Sequence, residues 1–97
     1  MRYNFEWDPN KARENERKHK VTFERAAKIF LDPLQISIFD DEHSEDEERW
    51  ITTGKNSSEI LLVVVHTFNE TSDEEWTNRI ISARKATKKE KKQYERF

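Results

Sequence analysis

The chain has 97 residues, 39% of them charged and only 33% hydrophobic, with 18 Lys and Arg against 20 Asp and Glu for a formal net charge of −2. A chain of this length reads as one domain, 1–97, able to bury roughly 60–65% of its unfolded surface, so much of each helix must face water or a partner. The absence of Cys excludes a disulfide framework and a thiolate metal site, and the lack of an apolar leader or a run long enough to span a bilayer leads us to expect a cytoplasmic protein away from any membrane.

The near-zero net charge hides an asymmetry. The segment from Asp40 to Glu48 holds seven of the 20 acids and no Lys or Arg, so the rest of the chain carries 18 bases against 13 acids. From Arg79 to Phe97 there are eight bases against two acids, Glu90 and Glu95. A basic face on a nearly neutral protein suits a polyanion, and it equally suits a solvated helix surface. Three Trp, six Phe and two Tyr supply most of the burial that so polar a chain can reach.

In chain order, Tyr3-Asn4-Phe5-Glu6-Trp7 alternates aromatic and polar residues and predicts a short first strand. Asp8 is a helix cap and Pro9 suits the first helical position, so a very polar helix follows to about Lys18, with Ala12 its small apolar residue. His19-Lys20-Val21 connects to a second helix capped by Thr22. There Phe23, Ala26, Ala27 and Phe30 recur at helical spacing until about Leu31. Asp32-Pro33 ends it, because the residue before a proline is pushed out of the helical region. Leu34 to Phe39 alternates as a half-buried strand, Asp40 to Glu48 reads as a solvated loop, Arg49 to Thr53 is β-prone, and Gly54 to Ser58 reads as a turn.

Ile60-Leu61-Leu62-Val63-Val64-Val65-His66 is the one continuous apolar run, and it predicts a central strand buried on both faces. A polar excursion from Asn69 to Asn78 leads to a last strand, Arg79 to Ala83, where Ile80 and Ile81 make both faces apolar and imply that something covers the second one. Thr87-Lys88-Lys89-Glu90 fits a capping box and predicts a terminal helix from Lys88 to about Arg96. No internal repeat is visible. The elements therefore compose an α+β fold: one strand, two N-terminal helices, four antiparallel strands and one C-terminal helix.

Phe5-Glu6-Trp7-Asp8-Pro9-Asn10-Lys11, Arg17-Lys18-His19 with Val21-Thr22-Phe23, Glu48-Arg49, Val63 to Thr67 and, above all, Arg79-Ile80-Ile81-Ser82-Ala83-Arg84-Lys85-Ala86-Thr87 together resemble the BrnT family of toxins. The resemblance follows the family's order over nearly the whole chain. It implies a RelE-like fold, ribonuclease activity in a bacterial type II toxin-antitoxin system, inhibition of translation and growth, and neutralisation by a BrnA-type DNA-binding antitoxin that alone contacts operator DNA. Two departures stand out: Lys20 occupies a position where the family more often has Gly, and the 69–78 connection is longer and more acidic than the family's tight turn.

RNA cleavage without a metal needs a base for the ribose 2′-hydroxyl, an acid for the leaving oxygen, and cations for the phosphate. Histidine serves proton transfer near neutral pH, and the guanidinium fork matches paired phosphate oxygens. His66 is accordingly the candidate for proton transfer, Arg49, Arg79 and Arg84 are the candidates for phosphate, and Lys88, Lys89, Lys92 and Tyr94 are candidates for guiding the RNA backbone. Plainer roles fit the same residues. His66 suits a strand-end histidine bonded to backbone, Arg49 an ion pair with Glu47 or Glu48, and Arg84 a carbonyl cap or a pair with Asp8 or Glu6. His19 and His43 lie in connections, and three His without ligand spacing give no metal site, so no metal and no cofactor is expected. Two readings from other classes stay open: a non-catalytic nucleic-acid- or partner-binding module, and a structural subunit whose half-apolar sheet needs a second chain.

Overall fold

The computed structural model describes residues 2–72 and 74–96; Met1, Asp73 and Phe97, which the expected domain includes, lie outside them. The elements are β1 (Arg2–Glu6), α1 (Pro9–His19), α2 (Phe23–Ala27), a 3-10 turn (Lys28–Leu31), β2 (Ile36–Phe39), a second 3-10 turn (Asp41–His43), β3 (Trp50–Lys55), β4 (Leu61–His66), β5 (Asn69–Ser72), β6 (Glu75–Lys85) and α3 (Lys88–Glu95). The sheet runs in the order β1-β6-β4-β3-β2, with β5 paired to the first half of β6. The α+β fold with two helices before the main sheet and one after it is the one expected, and β2, β3, β4 and β6 are antiparallel. The exception to antiparallel pairing is β1, which lies parallel to β6. Among the described residues no helix is long and apolar enough to cross a membrane.

Local chemistry starts each helix where the sequence places it. Asp8 accepts the Asn10 amide at 2.8 Å with Pro9 in the first turn, Thr22 accepts the Arg25 amide at 3.2 Å, and Thr87 with Glu90 closes the reciprocal capping box. Helix α2 is shorter than expected because its last turn tightens to 3-10 before Asp32-Pro33. At three residues per turn Ile29 falls under Ala26, so Ile29 is fully buried and Ala27 and Phe30 are only partly so.

The core lies between the two N-terminal helices and one face of the sheet: Val21, Phe23, Ala26 and Ile29 from above meet Leu62, Val64, Ile80 and Ala83 from below. Ile80 and Ala83 are three residues apart and would face opposite sides of a regular strand. The pairing slips between Val65↔Ser82 and His66↔Ile80, leaving Ile81 as the extra residue of a bulge, and this lets both reach the core. Gly54 belongs to β3, paired with Leu62, instead of the expected turn, and close packing accounts for the glycine: a Cβ there would stand 3.2 Å from the Ile29 carbonyl oxygen and 3.3 Å from Ile29 Cβ. The 69–78 connection, read as a polar excursion, folds back as the β5–β6 hairpin. β2 is half-buried only at Ile36, and Ile38 is 62% exposed.

Helix α1 offers the core almost nothing apolar beyond Ala12, and a polar residue docks it instead. Asn15 is 6% exposed; its Nδ2 donates to the carbonyls of Ala83 at 2.8 Å and Val21 at 3.0 Å, and its Oδ1 accepts the Ala83 amide at 3.0 Å. Buried backbone groups left without partners cost about 1–3 kcal/mol each, so Asn15→Ala should destabilise the protein by about 3 kcal/mol in a denaturant titration. A loss under about 1 kcal/mol would show that water replaces the amide. At the end of α1, Lys20 takes the left-handed conformation at φ 59°, ψ 29°, the backbone reason that glycine suits this position. Lys20→Gly should therefore raise stability by about 0.5–1 kcal/mol in the same titration, and an unchanged or lower midpoint would contradict that account.

Candidate active site

Trp50, His66 and Ile80 form one row across β3, β4 and β6, and beside that row a cleft of about 290 Å³ opens at the end of the helix layer. Its walls are the aromatic rings of Tyr3, Phe30, Trp50 and Phe68, with Gln35, Ser37 and Asn78 between them, and His66 is its floor. The hairpin builds the far wall: Phe68 stacks flat on Trp76 at 4.5 Å and meets Tyr3 at 6.1 Å between ring centres. Phe30 comes down from the 3-10 turn and packs edge-on against the imidazole at 4.8 Å.

His66 is 3% exposed, with both ring nitrogens engaged. Nδ1 lies 3.0 Å from the Thr67 carbonyl, which can only accept, so Nδ1 carries the proton and Nε2 is left to accept from Thr52 Oγ1 at 2.6 Å. Burial pushes the imidazole below its ordinary value, against the Thr67 carbonyl and the Asn78 carboxamide, which favour the charged ring. The ring is therefore neutral at neutral pH. Asn78 is 1% exposed and its Oδ1 makes no hydrogen bond.

The candidate arginines separate into two groups. Arg49 and Arg79 immediately precede Trp50 and Ile80, on either side of the end of β4, and both guanidiniums converge on one carboxylate of the acidic segment, Glu47. Arg49 Nε is buried without a hydrogen bond, 3.5 Å from Glu47 Oε1. By strand alternation both arginines face the side of the sheet opposite His66, at the same end of it. Arg84 shares that face but pairs with Val63, three residues along β4, which puts it about 10 Å from the histidine row. There it makes a bidentate pair with Glu90 at 2.7 and 2.8 Å, so the structure does not bring it to the cleft as the sequence grouping had it.

Helix α3 packs over Ile36, Ile38 and Thr53, the face away from the cleft, with Lys88, Lys89 and Lys92 exposed. Tyr94 does not reach solvent as an RNA guide would; it is 6% exposed and donates to Asp32 Oδ2 at 2.6 Å, which pushes the phenol up to about 12. Asp32 also accepts the Leu34 and Lys55 amides, so this contact ties α3 to the end of β3.

The cleft aromatics, Ser37, Thr52 and Asn78 do not stand out in the sequence. The available signal was strand parity: Ser37 on β2 and Thr52 on β3 pair across the sheet and share the face of His66.

A family model described as "Ribonuclease toxin, BrnT, of type II toxin-antitoxin system" matches residues 7–90. Among solved structures, the chain is similar to the ribonuclease toxin BrnT of Brucella abortus, with a TM-score of 0.57 and 22% identity over 91% of this chain and 100% of that one. No curated protein sequence matches it.

The Arg84–Glu90 pair has a pH signature. The Arg84 guanidinium holds the Glu90 carboxyl at about 2, below its ordinary 4.5, so the pair stabilises the fold above about pH 4.5 and that contribution disappears as pH falls toward 2. Glu90→Gln should lower the thermal midpoint at neutral pH, and the gap from the parent should close between about pH 4.5 and 2. A gap that stays constant across that range would remove the pair from the acid transition.

Proposed function

We propose that this chain, which belongs to the BrnT family of ribonuclease toxins of type II toxin-antitoxin systems, cleaves RNA without a metal ion at the cleft floored by His66. Unopposed, it arrests translation and growth, and a BrnA-type DNA-binding antitoxin neutralises it and alone contacts operator DNA. One observation carries the reading: a buried neutral imidazole lies under an aromatic cleft, and at the same end of the sheet, on its other face, stand two guanidiniums of which one, at Arg49 Nε, lacks a hydrogen-bond acceptor.

The residues divide the work by chemistry. Splayed RNA bases stack on Tyr3, Trp50 and Phe68, as single-stranded RNA does on aromatic platforms. Arg49 and Arg79 exchange Glu47 for the scissile phosphate. Their pairing with Glu47 is half-exposed and worth no more than about 1 kcal/mol, so the exchange is cheap. The neutral His66 receives the proton of the attacking hydroxyl. Arg84, Lys88, Lys89 and Lys92 hold the RNA backbone where it passes beyond the cleft.

Purified protein should degrade RNA in the presence of EDTA, and its expression alone should arrest growth. His66→Gln should lower kcat by about 10² to 10⁴ and Arg79→Ala by about 10² to 10³, with thermal midpoints confirming that both remain folded. Activity that vanishes with EDTA and returns with a divalent ion, or folded variants that cleave at the parental rate, would sink this reading.

A further inference from the structure

His66 is the base in this reading, yet its ring is almost wholly covered and no substrate atom can touch Nε2 while Thr52 does. A hydroxyl chain leads out from that atom. Thr52 Oγ1, on a residue with no exposed surface, stands 2.6 Å from Nε2 and 2.7 Å from Ser37 Oγ. Ser37 is exposed and lines the cleft. The polarity of the chain is fixed from its inner end. The Thr67 carbonyl requires the proton on Nδ1, so Nε2 accepts from Thr52, and Thr52 in turn accepts from Ser37.

We propose that Ser37 is the catalytic residue that meets the ribose 2′-hydroxyl, and that Thr52 relays the proton from it to His66 Nε2. The inference rests on the ribonuclease reading above. As the 2′-oxygen attacks phosphorus, its proton passes to Ser37 Oγ, the Ser37 proton passes to Thr52 Oγ1, and the Thr52 proton passes to Nε2. One oxygen–phosphorus bond forms while the bond to the leaving 5′-oxygen breaks; that oxygen keeps the electron pair and takes a proton from water. Both hydroxyls end the step neutral, and the imidazolium later returns its proton to the hydroxide left in solvent.

The surroundings of the ring suit a terminal acceptor. Phe30, Thr52, Thr67 and Asn78 around it are uncharged, and Tyr3 is the other ionisable side chain lining the cleft. Burial keeps the imidazole in the form that can accept, and both hydrogen-bond distances are short enough for transfer without rearrangement.

The test is cleavage of a short RNA at saturating concentration by the whole chain and by Ser37→Ala, Thr52→Val, Thr52→Ser and His66→Gln. The relay predicts that Ser37→Ala and Thr52→Val each lower kcat by about 10² to 10⁴ with KM nearly unchanged, and that Thr52→Ser restores most of it. The acid limb of the kcat profile, which reports the base, should disappear in both defective variants. If Thr52→Val fails to fold, Ser37→Ala decides the matter, because it removes only a hydroxyl from an exposed residue. Parental kcat in folded Ser37→Ala and Thr52→Val, with His66→Gln inactive, overturns the relay and leaves the ribonuclease reading standing. A parent that cleaves no RNA overturns both.

Discussion

The three hydrogen bonds of the Asn15 carboxamide are the constraint on which this architecture turns. β6 is eleven residues long, but β1 pairs only with its first half, as far as Arg79. Beyond that point the outer edge of β6 has no neighbouring strand, and a buried edge with unpaired amide and carbonyl groups would be strongly unfavourable. Asn15 completes that edge at Ala83, presenting a donor and an acceptor much as a residue of another strand would. Its third bond, to Val21, fixes the connection that starts α2. A helix with almost no apolar face is thereby held in register with the sheet, and the second helix follows it.

The change of partners along β6 also places the cleft. Its first half is gripped by β1 and β5, its second half by β4 and Asn15, and the bulge at Ile81 marks the transition. Bulges bend a strand and re-aim its side chains. Here the bend lies opposite His66, at the point where the helix layer ends and the β5–β6 hairpin begins. The hairpin brings Phe68 and Trp76 against Tyr3, and the gap between that aromatic stack and Phe30 is the opening above the imidazole.

What the sequence discloses here is local. Asp8, Thr22 and the Thr87–Glu90 box announce their helices within four residues, and the apolar run at 60–66 has one plausible place, in the middle of the sheet. The features that escape share a dependence on distant partners. Asn15 looks like any other polar residue of a polar helix until Ala83, 68 positions away, is placed beside it. Gly54 reads as a turn because nothing nearby shows that Ile29 will pack on it. The 69–78 stretch has neither apolar alternation nor a Gly, and it becomes a hairpin because β6 extends to meet it. The candidate site is legible as residue types and only partly as geometry. Strand parity puts all three arginines on the face away from His66, but Arg49 and Arg79 converge on its end of the sheet, whereas Arg84, adjacent in the most distinctive motif, lies three residues further along β4 and pairs with Glu90.

The electrostatics of that sheet end follow from the same separation. A charged imidazole one residue from two guanidiniums would be repelled by them and would compete with them for Glu47. Burial beneath Phe30 keeps His66 neutral, so it adds no charge to the arginine pair and remains able to take a proton. Placing the arginines on the opposite face leaves a single carboxylate bridging both guanidiniums through half-exposed pairs, each worth no more than about 1 kcal/mol. In the proposed reading, an RNA strand that engages both passes over the end of β4, across Thr67 and Phe68, with its bases on the cleft side and its phosphate toward Glu47. In that reading the β5–β6 hairpin, which follows Phe68 directly, borders the path of the strand.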